Sequence, residues 1–128
     1  MHIDNHIGTQ VLPIDTCNFG NCIIDGSLSG ELEIDTISST SFSPKIKFKY
    51  CALRSSFTND NNKYTGCVGF GTSDYVNKVN YNFELGPNSS AINVSTGAMP
   101  DATIVGNDIK GFPHTTGGNP DAGAYEKP

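Results

Sequence analysis

Two short segments of the chain share one pattern: residues 19–25 read FGNCIID and residues 48–54 read FKYCALR. Both follow the frame Phe-x-x-Cys-apolar-apolar-charged, and the second copy begins 29 residues after the first. Stacked parallel strands place equivalent residues above each other, so this spacing is compatible with one turn of a solenoid that carries a loop. Chance similarity between two apolar strands is the alternative that two copies leave open.

The segment at residues 45–50, KIKFKY, alternates apolar and charged side chains with period two, as a half-buried strand does. The alternation predicts one face with Ile46, Phe48 and Tyr50, and residues 51–53 are expected to continue the strand. The opposite face is a strip of three lysines, Lys45, Lys47 and Lys49.

A shorter alternation occurs at residues 31–35, ELEID, and no segment holds a helical period for three turns. The chain's 14 glycines and seven prolines supply breaks between short strands. The sequence therefore predicts an all-β fold.

Length and charge restrict the class of protein. The 128 residues suffice for one domain with a core. A net charge of -5, with only eight lysines and arginines, argues against binding to nucleic acid or an anionic membrane. No stretch approaches the ~20 apolar residues of a membrane span. Residues 1–6 lack the pattern of a secretory signal, so the targeting segment of an exported parent protein is expected elsewhere.

Four segments resemble one protein family. Residues 119–126, NPDAGAYE, are similar to the family's terminal PDIGAYE motif, and residues 21–27, NCIIDGS, are similar to its NCII-x-G rung. Residues 83–93, FELGPNSSAIN, and residues 107–114, NDIKGFPH, resemble two further segments in the family's order. The family comprises the pectate-lyase-like surface proteins of Bacteroidetes, which are right-handed parallel β-helices.

The chain departs from the family pattern at three positions. Ala122 replaces a larger apolar residue, Asn88 replaces a glycine, and His114 stands where arginine is usual. The last change weakens the expectation of a fixed cation paired with Asp108 or Asp121, because histidine is only partly charged at neutral pH.

The resemblance implies a fold for residues 1–128: the last two or three rungs of a parallel β-helix and their loops (1–86), followed by a capping tail (87–128). Prolines at 87, 100, 113 and 120 exclude regular helix or central strand from the tail, which predicts an irregular strap across the last rung. Short apolar segments that pack the strap onto the stack are expected at residues 91–92, 102–105 and 122–125. The cap residues implied are Asp121, Gly123, Tyr125 and Glu126, with Tyr125 anchoring the end in the core.

A solenoid needs ~3 or more rungs for stability. We therefore expect the chain to be the C-terminal part of a longer β-helix. Its N-terminal edge would be open to upstream rungs or to self-association.

The four cysteines, Cys17, Cys22, Cys51 and Cys67, allow three interpretations. A zinc site would need paired ligands at short spacing, which these cysteines and the three histidines do not provide. If the rungs stack, Cys22 and Cys51 are the disulfide pair to expect in an exported protein. Buried free thiols acting as small core residues are the favoured interpretation.

The sequence supplies weak candidates for binding. Tyr64, Tyr75 and Tyr81 could stack on sugar rings or equally cover the core as half-buried rings. The lysine strip is either a solvated face or a contact surface for acidic sugars. Arg54 could be a structural partner of a carboxylate. Asp60 and Asn61 offer oxygen ligands to calcium but lack the spacing of an EF-hand loop. We expect no cofactor and no catalytic residue.

The resemblance implies an exported protein, outside the cell or at its surface. The leading hypothesis is that the chain forms the C-terminal rungs and cap of a β-helix that recognises a polysaccharide, without catalytic activity of its own. Two alternatives stay open: part of a polysaccharide lyase or hydrolase, and a structural or adhesive surface protein.

Overall fold

The computed structural model describes residues 1–95, 106–115 and 117–128. It is all-β, as predicted, with two short 3₁₀ turns at Thr72–Asp74 and Lys78–Asn80; within the described ranges, neither is long enough to cross a membrane. The strands are β1 His2–Asp4, β2 His6–Ile7, β3 Gln10–Val11, β4 Thr16–Gly20, β5 Ile23–Ile24, β6 Glu33–Asp35, β7 Lys45–Lys49, β8 Ala52–Leu53, β9 Tyr64–Thr65, β10 Val68–Gly69, β11 Tyr75–Asn77 and β12 Asn82–Leu85.

Eight of these strands build three small parallel sheets, which have the strand orders β1-β6, β4-β7-β9 and β5-β8-β10. Phe19 lies opposite Phe48, so the two copies of the repeated frame pair in register at the predicted 29-residue offset. Tyr64 then lies opposite Phe48 on its other side. We call β1, β4 and β5 the first layer, β6, β7 and β8 the second layer, and β9 and β10 the third layer.

Each layer turns from one three-stranded sheet to the next at a left-handed residue. These corner residues are Asn21, Tyr50 and Gly66, with φ of 55°, 53° and 60°. The prediction that residues 51–53 continue the preceding strand is therefore wrong, because the alternation ends at Lys49 and β8 belongs to the next sheet. A left-handed backbone is unfavourable for residues with a side chain, so the corner must be stabilised by its surroundings.

The core lies between the sheets. Its buried inward side chains are Ile46, Phe48, Cys51, Leu53 and Cys67. Phe19, Phe48 and Tyr64 stack as an aromatic column, with ring centroids 4.8 Å and 5.4 Å apart. The lysines of β7 alternate with this core and are exposed, as predicted.

A second apolar cluster covers the outer side of the β5-β8-β10 sheet with the tail. Ala52 of β8 packs there with Leu85, Ala91 and Ala122. The tail also reaches further than predicted, because the Gly123 N–H donates to the Asn21 carbonyl of the first layer. The strap thus crosses all three layers along an apolar sheet face. The apolar segment expected at residues 102–105 and the proline at position 100 lie outside the described residues.

Two antiparallel hairpins complete the fold, and neither was predicted. Strand β2 pairs with β3, and β11 pairs with β12, where Tyr75 lies opposite Leu85. The second hairpin stands between the third layer and the tail in chain order and carries several exposed apolar side chains, Val76, Val79, Tyr81 and Phe83.

Candidate functional site

The three parallel sheets all end on the first layer. Strands β1, β4 and β5 are each the terminal strand of their sheet, and among the described residues none of them pairs with a strand on its other side. Because the layers stack in the same order in every sheet, these three edges lie at one end of the stack. We call this end the open end. Unpaired strand edges present rows of backbone donors and acceptors that can pair with another chain.

The inward side chains change their burial at the open end. Those of β7 and β8 in the second layer are buried, whereas their counterparts on β4 and β5 in the first layer are only half-buried. The matched pairs are Cys17 with Ile46, Phe19 with Phe48, Cys22 with Cys51, and Ile24 with Leu53. Apolar surface of the same kind as the core therefore reaches the solvent at this end.

The aromatic column shows the same asymmetry. At the far end Phe57 lies against Tyr64, with centroids 5.4 Å apart and the rings tilted by 38°. At the open end Phe19 has one ring partner among the described residues, Phe48. The column is closed by the loop residue Phe57 at one end and stops at the half-buried Phe19 at the other.

The structure separates the three tyrosines predicted to contact sugars. Tyr64 belongs to the column and is half-buried between Phe48 and Phe57. Tyr75 and Tyr81 instead join a row of edge-to-face rings through Phe83, with centroid separations of 5.4 Å and 6.5 Å. We call Tyr75, Phe83 and Tyr81 the aromatic row. It runs from a half-buried ring, where burial raises the pKa of Tyr75 to about 12, to Tyr81, which is 84% exposed.

The lysine strip is not part of this row. Lys45, Lys47 and Lys49 lie on β7 beside the exposed positions of β4, and no described contact joins them to the aromatic row. Lys78, which the sequence did not single out, lies there instead: its Nζ is 5.9 Å from the centroid of the Tyr75 ring.

Lys78 also belongs to an ion triad. The carboxylate of Asp25, only 5% exposed, accepts from Lys78 Nζ at 2.5 Å and from Arg54 Nη1 at 3.4 Å. Arg54 therefore pairs with a carboxylate, as predicted. A buried carboxylate needs such partners, since an unpaired charge away from water is strongly unfavourable. The triad fastens the β11-β12 hairpin to the first and second layers and places the Lys78 ammonium group beside Tyr75 of the aromatic row.

The cap residues form a separate buried network. Asp121 Oδ1 accepts from the Asn93 N–H and Oδ2 from the Lys127 N–H, each at 2.7 Å. Glu126 Oε1 lies 2.6 Å from His114 Nδ1, so the histidine pairs with Glu126 rather than with Asp108 or Asp121. Burial raises the pKa of both Asp121 and Glu126. These two carboxylates hold the capping tail together, because their partners Asn93, His114 and Lys127 all belong to it.

Gly123 and Tyr125 differ in their roles. Gly123 has φ +97°, and a Cβ there would lie 2.7 Å from Ile23 Cδ1, so only glycine allows this approach to the first layer. The prediction that Tyr125 anchors the end in the core is wrong: the ring is half-buried and lies 6.0 Å from Lys110 Nζ. The buried anchors are Ala122 and Glu126 instead.

The remaining ligand candidates have structural partners. Asp60 Oδ1 accepts the N–H groups of Asn62, Lys63 and Tyr64, and these hydrogen bonds, that from Tyr64 above all, lower the pKa of Asp60. Asn61 is a left-handed turn residue with φ 60°. Within residues 1–95, 106–115 and 117–128, no three His, Cys, Asp or Glu side chains are arranged to hold a metal ion. All four cysteines are free thiols, Cys22 and Cys51 included.

Comparison with known proteins found no family model, no curated protein and no solved structure that matches the chain. The roles of the open end and of the aromatic row are therefore inferred from the burial, contacts and charges of their own residues.

Proposed function

We propose that the chain is the capped end of a parallel β-helix, and that its function is to close a longer stack by docking a further coil on its open end. Each layer is then one coil, and the hairpin and strap are the cap. The observation that carries this proposal is the burial difference between the first and second layers at matched positions of the two three-stranded sheets.

The position of the strap supports this role, because the strap leaves the strand edges at the open end uncovered. Its contacts with the stack include Ala122 in the apolar cluster with Ala52, on the outer side of the β5-β8-β10 sheet, and the Gly123 N–H bonded to the carbonyl of the corner residue Asn21. The edges of β1, β4 and β5 remain without a strand partner among the described residues. Natural proteins cover or interrupt such edges when no partner is intended.

The open end also specifies the coil that fits it. A ring is needed over Phe19 to continue the aromatic column, because stacked rings gain about 0.5–1.5 kcal/mol beyond their burial. A small inward side chain is needed over Cys22, since the second layer uses cysteine at that corner. The second layer itself meets both requirements against the first, so the docking coil is one of like build.

Tandem duplication of residues 16–44 tests the proposal, because this segment spans the 29-residue offset between Thr16 and Lys45. The inserted copy supplies one more β4, β5 and β6 in register. We expect the longer chain to fold and its free energy of unfolding in urea to rise by at least ~2 kcal/mol, since a set of half-exposed core side chains becomes buried.

The control is the same insertion with Phe19→Asp and Ile24→Asp in the added copy only, which should not raise stability. An unmutated insertion that is cut by protease as a loose loop and leaves the unfolding free energy unchanged would refute the docking of coils at this end.

A second function, recognition of a polysaccharide, is favoured by the aromatic row. Tyr81 and Phe83 present exposed ring surface, and the third ring of the row, Tyr75, lies 5.9 Å from Lys78 Nζ. Amphipathic rings of this kind suit a ligand with an apolar face and polar edges. The lysine strip is not needed for this contact.

Affinity electrophoresis through gels containing neutral or acidic polysaccharides measures this binding. Tyr81→Ala should weaken retardation about fivefold, the equivalent of about 1 kcal/mol for one lost ring contact. Val79→Ala, on the same hairpin and 87% exposed, is the matched control and should bind normally. If no polysaccharide retards the unmutated chain, recognition by this segment is rejected.

A further inference from the structure

Three of the four cysteines form a column inside the corner between the two three-stranded sheets. Each follows a left-handed corner residue, and each thiol donates to the carbonyl two residues earlier in the chain. The three contacts are Cys22 to Gly20 at 3.2 Å, Cys51 to Lys49 at 3.4 Å and Cys67 to Thr65 at 3.8 Å. The thiols of successive layers therefore point the same way.

The column brings thiols close enough to react. Neighbouring strands lie ~4.8 Å apart, which falls within the ~4.4–6.8 Å between Cα atoms that a disulfide spans. Each of the inner thiols also reaches the preceding layer: Cys51 Sγ donates to the Phe19 carbonyl at 3.5 Å, and Cys67 Sγ donates to the Phe48 carbonyl at 3.4 Å. Cys17 is different, because it lies on β4 opposite Ile46 and has no cysteine at the matched position.

The ends and the centre of the column differ in acidity and access. The contact with Cys51 lowers the pKa of Cys22 and of Cys67 to about 7, and the same contacts raise the pKa of Cys51. Cys51 is fully buried, whereas Cys22 is half-buried at the open end. Because the thiolate is the reactive form, Cys22 is the thiol that an external disulfide meets first.

We infer that Cys22, Cys51 and Cys67 are a thiol–disulfide relay, in which Cys51 forms a reversible disulfide with either neighbour when a small-molecule disulfide is the oxidant. Cys22 thiolate attacks the oxidant, forms a mixed disulfide and releases one equivalent of small thiolate. Cys51 then loses its proton, which ends on the released small thiolate, and attacks the sulfur of Cys22, releasing the second equivalent. In sum, two protein thiols are oxidised and one external disulfide is reduced to two thiols.

The third thiol makes the bond transferable. Cys67 thiolate can attack the sulfur of Cys51, which forms the Cys51–Cys67 bond and frees Cys22 as a thiolate, with no net redox change. An odd number of thiols always leaves one free to reverse the bond. The relay thus joins the second layer covalently either to the first or to the third.

The test is exposure of the folded chain to cystamine, followed by thiol counting and peptide mapping. We expect two of the four thiols to be lost and the linked peptides to contain Cys22–Cys51 or Cys51–Cys67. Cystamine held as a stable mixed disulfide on Cys22, a bond to Cys17, or four thiols that react only in urea would each overturn the relay.

Serine variants separate the steps. Cys51→Ser should trap the mixed disulfide on Cys22, and Cys67→Ser should restrict the product to Cys22–Cys51. Cys17→Ser is the matched control and should leave the products unchanged. An internal bond that persists in Cys51→Ser would contradict the central role of that thiol. Since a buried serine can unfold the chain, mapping of the unmutated protein remains decisive.

Discussion

Replacing Phe48 with alanine should lower the free energy of unfolding by about 3–5 kcal/mol. The ring is fully buried, and it stacks on Phe19 at 4.8 Å and on Tyr64 at 5.4 Å. Its loss opens a cavity that all three layers line, because strand β7 is the central strand of its sheet. Against a typical total of about 5–15 kcal/mol, this change is large enough to unfold much of the population. Urea denaturation followed by circular dichroism measures it.

Phe83→Ala is the matched control, because Phe83 is 41% exposed on the β11-β12 hairpin. It should lose far less stability than Phe48→Ala. Equal losses in the two variants would mean that the aromatic column does not hold the layers together.

Replacing Gly66 with alanine should destabilise the chain by about 2–4 kcal/mol, through left-handed strain and overpacking together. Gly66 is the corner residue of the third layer with φ +60°, and a Cβ there would lie 2.6 Å from the ring of Tyr50. The ring of the second-layer corner thus occupies the space above the glycine. Thermal unfolding and urea denaturation should both report the loss.

Gly69→Ala provides the comparison within the same layer. A Cβ at Gly69 meets nothing within 4 Å, and its backbone is not left-handed, so the variant should be close to unchanged. If Gly66→Ala were equally tolerated, the corner would not require glycine and the close contact with Tyr50 would be relieved at little cost.

Part of the fold could be predicted because the first two layers repeat the same frame. Phe19 and Phe48 mark it, and the alternation at residues 45–49 fixed which side faces the core. A third copy, Tyr64-x-x-Cys67 followed by Val68, was missed because it begins 16 residues after Phe48 rather than 29. An aromatic-x-x-Cys search without a fixed period would have found it. The end of β7 was misplaced because Tyr50 continues the apolar pattern while its backbone turns left-handed.

The candidate site was less predictable because its contacts join distant parts of the chain. Asp25 and Lys78 are 53 residues apart, and no local pattern marks them as partners. Tyr64 and Tyr81 carry the same side chain, yet one completes an interior column and the other ends in solvent; only the packing distinguishes them. Tyr125 was expected to anchor the tail in the core, whereas the buried polar network around Glu126 fixes the tail.

The six-residue segment that surrounds each corner residue has a consequence for how such a chain can change its length over evolutionary time. From the ring to the end of the following strand the spacing is the same in all three layers: Phe19 to Ile24, Phe48 to Leu53 and Tyr64 to Gly69. The connection between layers, in contrast, shortens from a 29-residue to a 16-residue offset without disturbing the register. We therefore expect insertions and deletions to fall in the loops, and the six residues from ring to strand end to be kept as a unit. Relatives of this chain would be recognised by the recurrence of that unit and not by any constant period.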